Sequence, residues 1–131
     1  MRDFSNPNTP DHRHDDPSSL LPKLSQFDFH ERLADSSGPT LVMFTSPDCG
    51  GCRHLRSVLL EVHRQHPDWG IYEVDAQRDQ ALTNEFEVFH LPTVFLFFAG
   101  QYHCQLQAEA RSSAVVAATH AALQQPAEEA P

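Results

Sequence analysis

The chain has 131 residues, 40% of them hydrophobic, with nine phenylalanines, so it is long enough to bury one core with some length to spare. Its formal charge of −9 and pI near 5.3 argue against nucleic acid or an anionic membrane as partner, since both need clustered Lys and Arg. Three cysteines do not make the even-numbered disulfide framework of a small secreted scaffold.

The N-terminus, MRDFSNPNTPDHRHDDPSS, has no apolar stretch followed by a small-residue cleavage site, so no signal peptide is read there. Its polar composition cannot bury enough surface to offset ordering, and residues 1–19 are expected to be a disordered tail. His12 and His14 are read as part of that solvated tail rather than as a metal site. No stretch approaches the ~20 apolar residues of a membrane span. These features point to a cytoplasmic chain with no membrane partner. In such a compartment a close cysteine pair is catalytic or metal-binding more often than structural.

The ordered part is expected over residues 20–124, with 125–131 as a short C-terminal tail. Leu20–Leu24 reads as a short edge strand. Ser25–Asp28 fits a capping box that opens a helix to about Ala34. Thr40–Phe44 (TLVMF) is a nearly continuous apolar run, as a strand buried on both faces would be. After the turn TSPD, the residues Cys52, Leu55, Val58, Leu59 and Val62 recur at three and four positions, predicting an amphipathic helix that ends near His66-Pro67.

Trp69–Val74 reads as a strand. Asp79–Phe86 reads as a short helix with Ala81, Leu82 and Phe86 inward. Thr93–Phe98 (TVFLFF) carries the strongest strand pattern, followed by a tight hairpin turn at Ala99-Gly100-Gln101. Tyr102, Cys104 and Leu106 are then expected on one face of the next strand. Ser112 or Ser113 is expected to cap a last helix with Val115, Val116, Ala122 and Leu123 on its apolar side. This order predicts an α/β fold: a central mixed sheet, parallel in its first half and closed by an antiparallel hairpin, with helices on both faces.

Within that order stands FTSPDCGGCRHL, residues Phe44 to Leu55. Cys49 and Cys52 lie one turn apart where a helix should begin. The N–H groups and partial positive charge of a helix start stabilise a thiolate, lowering the pKa of Cys49 from the free value of ~8.5. A thiolate is the species that attacks a disulfide, and Cys52 is placed to resolve the mixed disulfide that results. Gly50 and Gly51 leave room for the backbone of a partner to approach. A metal site remains the alternative, with His54, His90 or Cys104 as further ligands, although no second C-x-x-C stands at a convincing spacing.

Taken together, these residues resemble the thioredoxin family from about Ser25 to Leu123. The strand–CxxC–helix unit matches, as do His90-Leu91-Pro92-Thr93 before the TVFLFF strand, the F-x-x-G turn at Phe97–Gly100, and Val74-Asp75 at a strand end. The resemblance implies a thioredoxin-like fold and a thiol–disulfide oxidoreductase that exchanges protein disulfides in cell redox homeostasis. It implies Cys49 and Cys52 as the catalytic, redox-active pair. It implies a cis Pro92 lying against them, and a Leu91 backbone free to pair with an extended substrate. No dissociable cofactor and no metal is required. Its partners would be protein disulfide substrates and a reductase or thiol that the sequence does not identify, and the chain is expected to be monomeric.

The sequence also departs from the family pattern. Asp48 stands in place of a tryptophan and Gly51 in place of a proline. Met43 occupies the position of a buried aspartate, and Ile71 that of the lysine paired with it. His90 is the candidate for a proton relay in their absence; His54 should point away from the pair. These departures keep open a second reading, a redox-sensitive adaptor or assembly factor with little turnover. Cys104 reads as a small buried hydrophobe, and Trp69 and the phenylalanines at 95, 97 and 98 as core.

Overall fold

The structure, a computed structural model, describes residues 20–131; the expected tail over residues 1–19, including His12 and His14, lies outside the described residues. Its elements run β1 (Lys23–Leu24), α1 (Phe29–Ala34), β2 (Pro39–Thr45), α2 (Cys52–Gln65), β3 (Gly70–Asp75), α3 (Gln80–Glu85), β4 (Thr93–Phe98), β5 (Gln101–Leu106) and α4 (Ser112–Leu123). The sheet has the order β1-β3-β2-β4-β5. β3 pairs in parallel with both β1 and β2, whereas β4 is antiparallel to both β2 and β5. The mixed α/β architecture is the one the apolar pattern predicts.

β2 takes the centre because it can be buried on both sides: six of its seven residues are buried. Alternation along the strand divides those residues between two layers. Leu41 and Met43 join Ile71, Leu96 and the inward residues Val58, Leu59 and Val62 of α2, with Val115 of α4 behind. Val42 and Phe44 join Phe29 and Leu33 of α1, Leu82 of α3, and Phe86, Phe95 and Phe97. This second layer is aromatic. Phe86 lies 5.4 to 5.9 Å, centroid to centroid, from Phe29, Phe95 and Phe97, in tilted or edge-on arrangements that phenyl rings favour. At the end of α2 remote from the cysteines, Trp69 stacks on His66 at 4.4 Å and meets His120 of α4 edge-on. Trp69 is core, as its pattern suggests. Among the described residues, no helix is long and apolar enough to cross a membrane.

Local chemistry sets the ends. The Asp28 carboxylate accepts the backbone N–H of Ser25 at 2.7 Å and its hydroxyl at 3.1 Å, which is the reciprocal half of a capping box, and the regular helix begins just after it. At the C-terminus, the N–H of Glu128 donates to the carbonyl of His103, so the last residues run back past β5.

Four local expectations change. α4 starts at Ser112 with Arg111 in the capping position, and neither serine makes a side-chain cap. Ala81 faces solvent, because α3 has only six residues and Leu82 and Phe86 fill its inward side. Phe98 is 44% exposed at the strand end. Tyr102 packs with the aromatic layer, whereas Cys104 and Leu106 belong to the aliphatic one. A bulge causes this: Leu96 pairs with Cys104 but Phe97 pairs with Tyr102, so His103 is an extra residue that reverses the alternation.

The β4–β5 hairpin turns through Ala99 (φ 51°) and Gly100 (φ 81°), both left-handed, as a two-residue connection between right-twisted strands requires. A Cβ at Gly100 would lie 2.8 Å from the carbonyl oxygen of Leu33, whereas one at Gly38 would meet nothing within 4 Å. Gly100→Ala is therefore expected to destabilise the protein by about 1–3 kcal/mol, and Gly38→Ala to have little effect, when their urea unfolding midpoints are compared with that of the parent.

Candidate active site

The site forms where β2 runs out. Thr45 is its last residue, and the chain turns through Ser46–Asp48, with the N–H of Cys49 donating to the carbonyl of Ser46 at 3.2 Å. α2 begins three residues later at Cys52, whose N–H donates to the Cys49 carbonyl at 3.4 Å. Cys49 and Cys52 are joined by a disulfide, with Cα atoms 5.4 Å apart. The two sulfurs are unequal: Cys49 is half-buried at the rim, whereas Cys52 is 1% exposed.

The Leu91–Pro92 peptide bond is cis. It precedes Thr93, which lies opposite Phe44 in the antiparallel β2–β4 register, and so it arrives beside the turn that holds the cysteines. The hydroxyl of Thr93 donates to the carbonyl of His90 and closes this loop. A Cβ placed on Gly51 would be 3.7 Å from the Cδ of Pro92, which shows how closely the cysteine loop and the proline approach. An apolar pocket of about 310 Å³ opens next to them, lined by Gly51, Leu55, Pro92, Val94, Leu106 and Val115 among others.

The structure thus brings Cys49, Cys52 and Pro92 together. Leu91 is half-buried and packs against the aromatic layer. The side chains of His90 and Asp48 are exposed, and the Asp48 carboxylate accepts a long 3.5 Å bond from the Gln77 amide. His54 is exposed, and its ring Nε2 lies 3.1 Å from the carbonyl oxygen of Ala110. Cys104 is a buried free thiol in the aliphatic layer, where burial pushes its pKa up and the nearby Glu128 carboxylate adds to the rise. Among the described residues, no three or more His, Cys, Asp or Glu side chains gather to hold a metal ion, so the zinc alternative finds no ligand set there.

A dithiol–disulfide pair at a helix start, beside a cis-proline loop on a mixed α/β sheet, defines a thiol–disulfide class of protein. Comparison with known proteins makes the assignment specific. The sequence profile of the Thioredoxin family matches residues 21–121, and this chain belongs to that family, one of thiol–disulfide oxidoreductases. It is 31% identical over 74 residues to thioredoxin from Griffithsia pacifica, covering 56% of this chain and 68% of that protein. It is 33% identical over 91 residues to the mitochondrial thioredoxin O2 of Arabidopsis thaliana, covering 65% and 57%. Its fold matches the oxidised mitochondrial thioredoxin 3 of Saccharomyces cerevisiae with a TM-score of 0.69, at 20% identity over 79% of this chain and 97% of that one.

Met43 and Ile71 are both buried and apolar beneath the site. A buried acid is nevertheless close by, and sequence reasoning missed it. Glu73 of β3 is in register with Met43, and only 2% exposed. Its two oxygens take Arg56 Nε at 2.9 Å and Nη2 at 2.7 Å, and one also takes the Thr45 hydroxyl at 2.6 Å. A signal was present: in GIYEVD, Glu73 occupies the same parity as the core residue Ile71, and strand residues two apart share a face.

Burial pushes the Glu73 carboxyl up, but the bonds from Arg56 and Thr45 outweigh it and hold the group below the usual range. A carboxyl so lowered contributes stability that is fully present above its ordinary value of 4.5 and is lost as pH falls through the folded value. Glu73→Gln should cost about 2 kcal/mol at neutral pH. The gap between parent and variant should narrow as urea unfolding is repeated from about pH 5 down to about pH 3, the acid side of the carboxylate range.

Proposed function

We propose that this protein is a working thiol–disulfide oxidoreductase in which Cys49 attacks, Cys52 resolves and the Leu91–Pro92 segment aligns the substrate. The observation that carries this reading is the asymmetric disulfide: a half-buried Cys49 at the rim bonded to a fully buried Cys52 at the start of α2. In the reduced protein, the Cys49 thiolate attacks one sulfur of a substrate disulfide. That bond breaks, a Cys49–substrate bond forms, and the released substrate sulfur takes up a proton. Cys52 then loses its proton and attacks the Cys49 sulfur, forming the internal disulfide and expelling the second substrate thiolate. Two electrons pass to the substrate, and an external dithiol or reductase must return them. No cofactor enters either step.

The half-exposed Pro92 and the apolar pocket beside it support an extended peptide as the form of substrate, paired through the Leu91 backbone. His90, exposed at the start of the same loop, is the side chain proposed to exchange protons with solvent during the second step. Residues 20–124 acting as a monomeric unit, in the cytoplasm, are part of the same proposal.

Insulin reduction by dithiothreitol tests the reading. The parent should accelerate precipitation of the insulin chains, and Cys49→Ser should reduce the rate to that of dithiothreitol alone. A parent no faster than the uncatalysed reaction would favour the adaptor alternative.

A further inference from the structure

The ion pair of Arg56 and Glu73 takes no part in the exchange as written, yet it occupies the face of the sheet that α2 covers. Met43, in register with Glu73, packs under Val58, Leu59 and Val62. Stability is a poor explanation for it, because an apolar pair of similar volume would serve as well or better at such a depth.

Its position is more informative. Arg56 follows Cys52 by four residues, so both lie on one face of α2, with Cβ atoms about 5–6 Å apart. Helical side chains lean toward the N-terminus, the direction in which Cys52 lies from Arg56. The side chain is only 26% exposed, and its Nε–Nη2 edge is gripped by Glu73 as a fork. Thr45, four residues before Cys49, fixes the carboxylate from the other side. The grip uses Nε and Nη2; among the described residues, Nη1 makes no protein hydrogen bond.

We propose that Arg56, aimed by the buried carboxylate of Glu73, is the cation that stabilises the Cys52 thiolate at the resolving step. Glu73 is a positioning residue that acts through Arg56. This assignment rests on the exchange reading given above. Cys52 is buried, and burial alone opposes the charged sulfur that must attack Cys49. A fixed cation one turn away favours that charge. The carboxylate beyond it tempers the effect and prevents the guanidinium from swinging into solvent.

The other charged groups around this end are less suited to the role. Arg53 and His54 on the same helix face solvent, Asp48 and His90 are exposed at the rim, and Glu109 is engaged with Arg111. Asp75, at the end of β3, accepts the N–H groups of Gln77 and Arg78. Lys23 of β1 is exposed, and its field reaches Glu73.

The test is the titration of Cys52, followed by ultraviolet thiolate absorbance in a Cys49→Ser/Cys104→Ser chain that retains no other thiol. Glu73→Gln leaves Arg56 unneutralised and should move the Cys52 midpoint down. Arg56→Met with Glu73→Gln removes both charges and should move it up by about one pH unit, a tenfold loss of thiolate below the midpoint. Far-UV circular dichroism confirms that each variant is folded. Opposite displacements are the expected result, because loosened packing alone would shift both variants in the same direction. Equal displacements, or none, overturn the assignment. If Glu73→Gln does not fold, the double variant still decides, since an unshifted midpoint in it overturns the assignment. The parent is separately equilibrated with glutathione: lack of a reversible Cys49–Cys52 couple overturns both the exchange reading and this one, whereas a working couple with unmoved midpoints overturns only the role of Arg56.

Discussion

The burial of β2 between two apolar layers is the constraint on which the rest of this structure depends. The strand is hydrogen-bonded on both edges, in parallel to β3 and antiparallel to β4, and it is covered on both faces. A slip of one residue would exchange Met43 with Phe44 and carry every β2 side chain into the wrong layer. That register fixes where the chain leaves the sheet at Thr45, and hence where α2 starts. The antiparallel pairing of Phe44 with Thr93 delivers the cis Leu91–Pro92 bond to the same edge. The cysteines and the proline meet because two strands on either side of them are locked in place, although the two segments are some forty residues apart in the chain.

The two layers differ in composition, and the site belongs to one of them. Under α1 and α3 the packing is aromatic, and the buried carboxylate of Asp79 stands at its edge, at the start of α3, where it accepts the N–H of Gln26. Under α2 and α4 it is mainly aliphatic, and this is the face on which the sheet carries Glu73 next to Met43. In a low-dielectric interior a carboxylate persists only when its oxygens are satisfied, and Arg56 and Thr45 supply the required bonds. The charged surroundings of Cys52 are thus assembled from a helix and two strands together, whereas Cys49 sits at the rim, next to the exposed Asp48.

The architecture was legible because its signals are local. TLVMF and TVFLFF are too apolar and too short to be anything but buried strands, and the spacing of Leu55, Val58, Leu59 and Val62 has the period of a helix that covers them. The cysteine loop was legible for the same reason, since two thiols one turn apart before such a helix have few other uses. The failures also have local causes. Tyr102 departs from the layer that strict alternation predicts because a single extra residue, His103, reverses a period of two without leaving any mark in composition. Serine is common at helix starts and so predicts a cap for α4, whereas the extended backbone of Arg111 leads directly into the helix.

What the sequence determined by itself was the set of elements, their amphipathic faces and the pair of thiols at a helix start, because each follows from neighbours within one or two turns of chain. What only the tertiary structure decided was which distant groups share a face. Glu73, Arg56 and Thr45 come from three separate elements, and nothing in their spacing along the chain shows that one carboxylate, one guanidinium and one hydroxyl will bond beneath the redox helix. That outcome follows from the parallel register of β2 and β3 and from the angle at which α2 lies across them, and these are fixed only when the whole core packs at once.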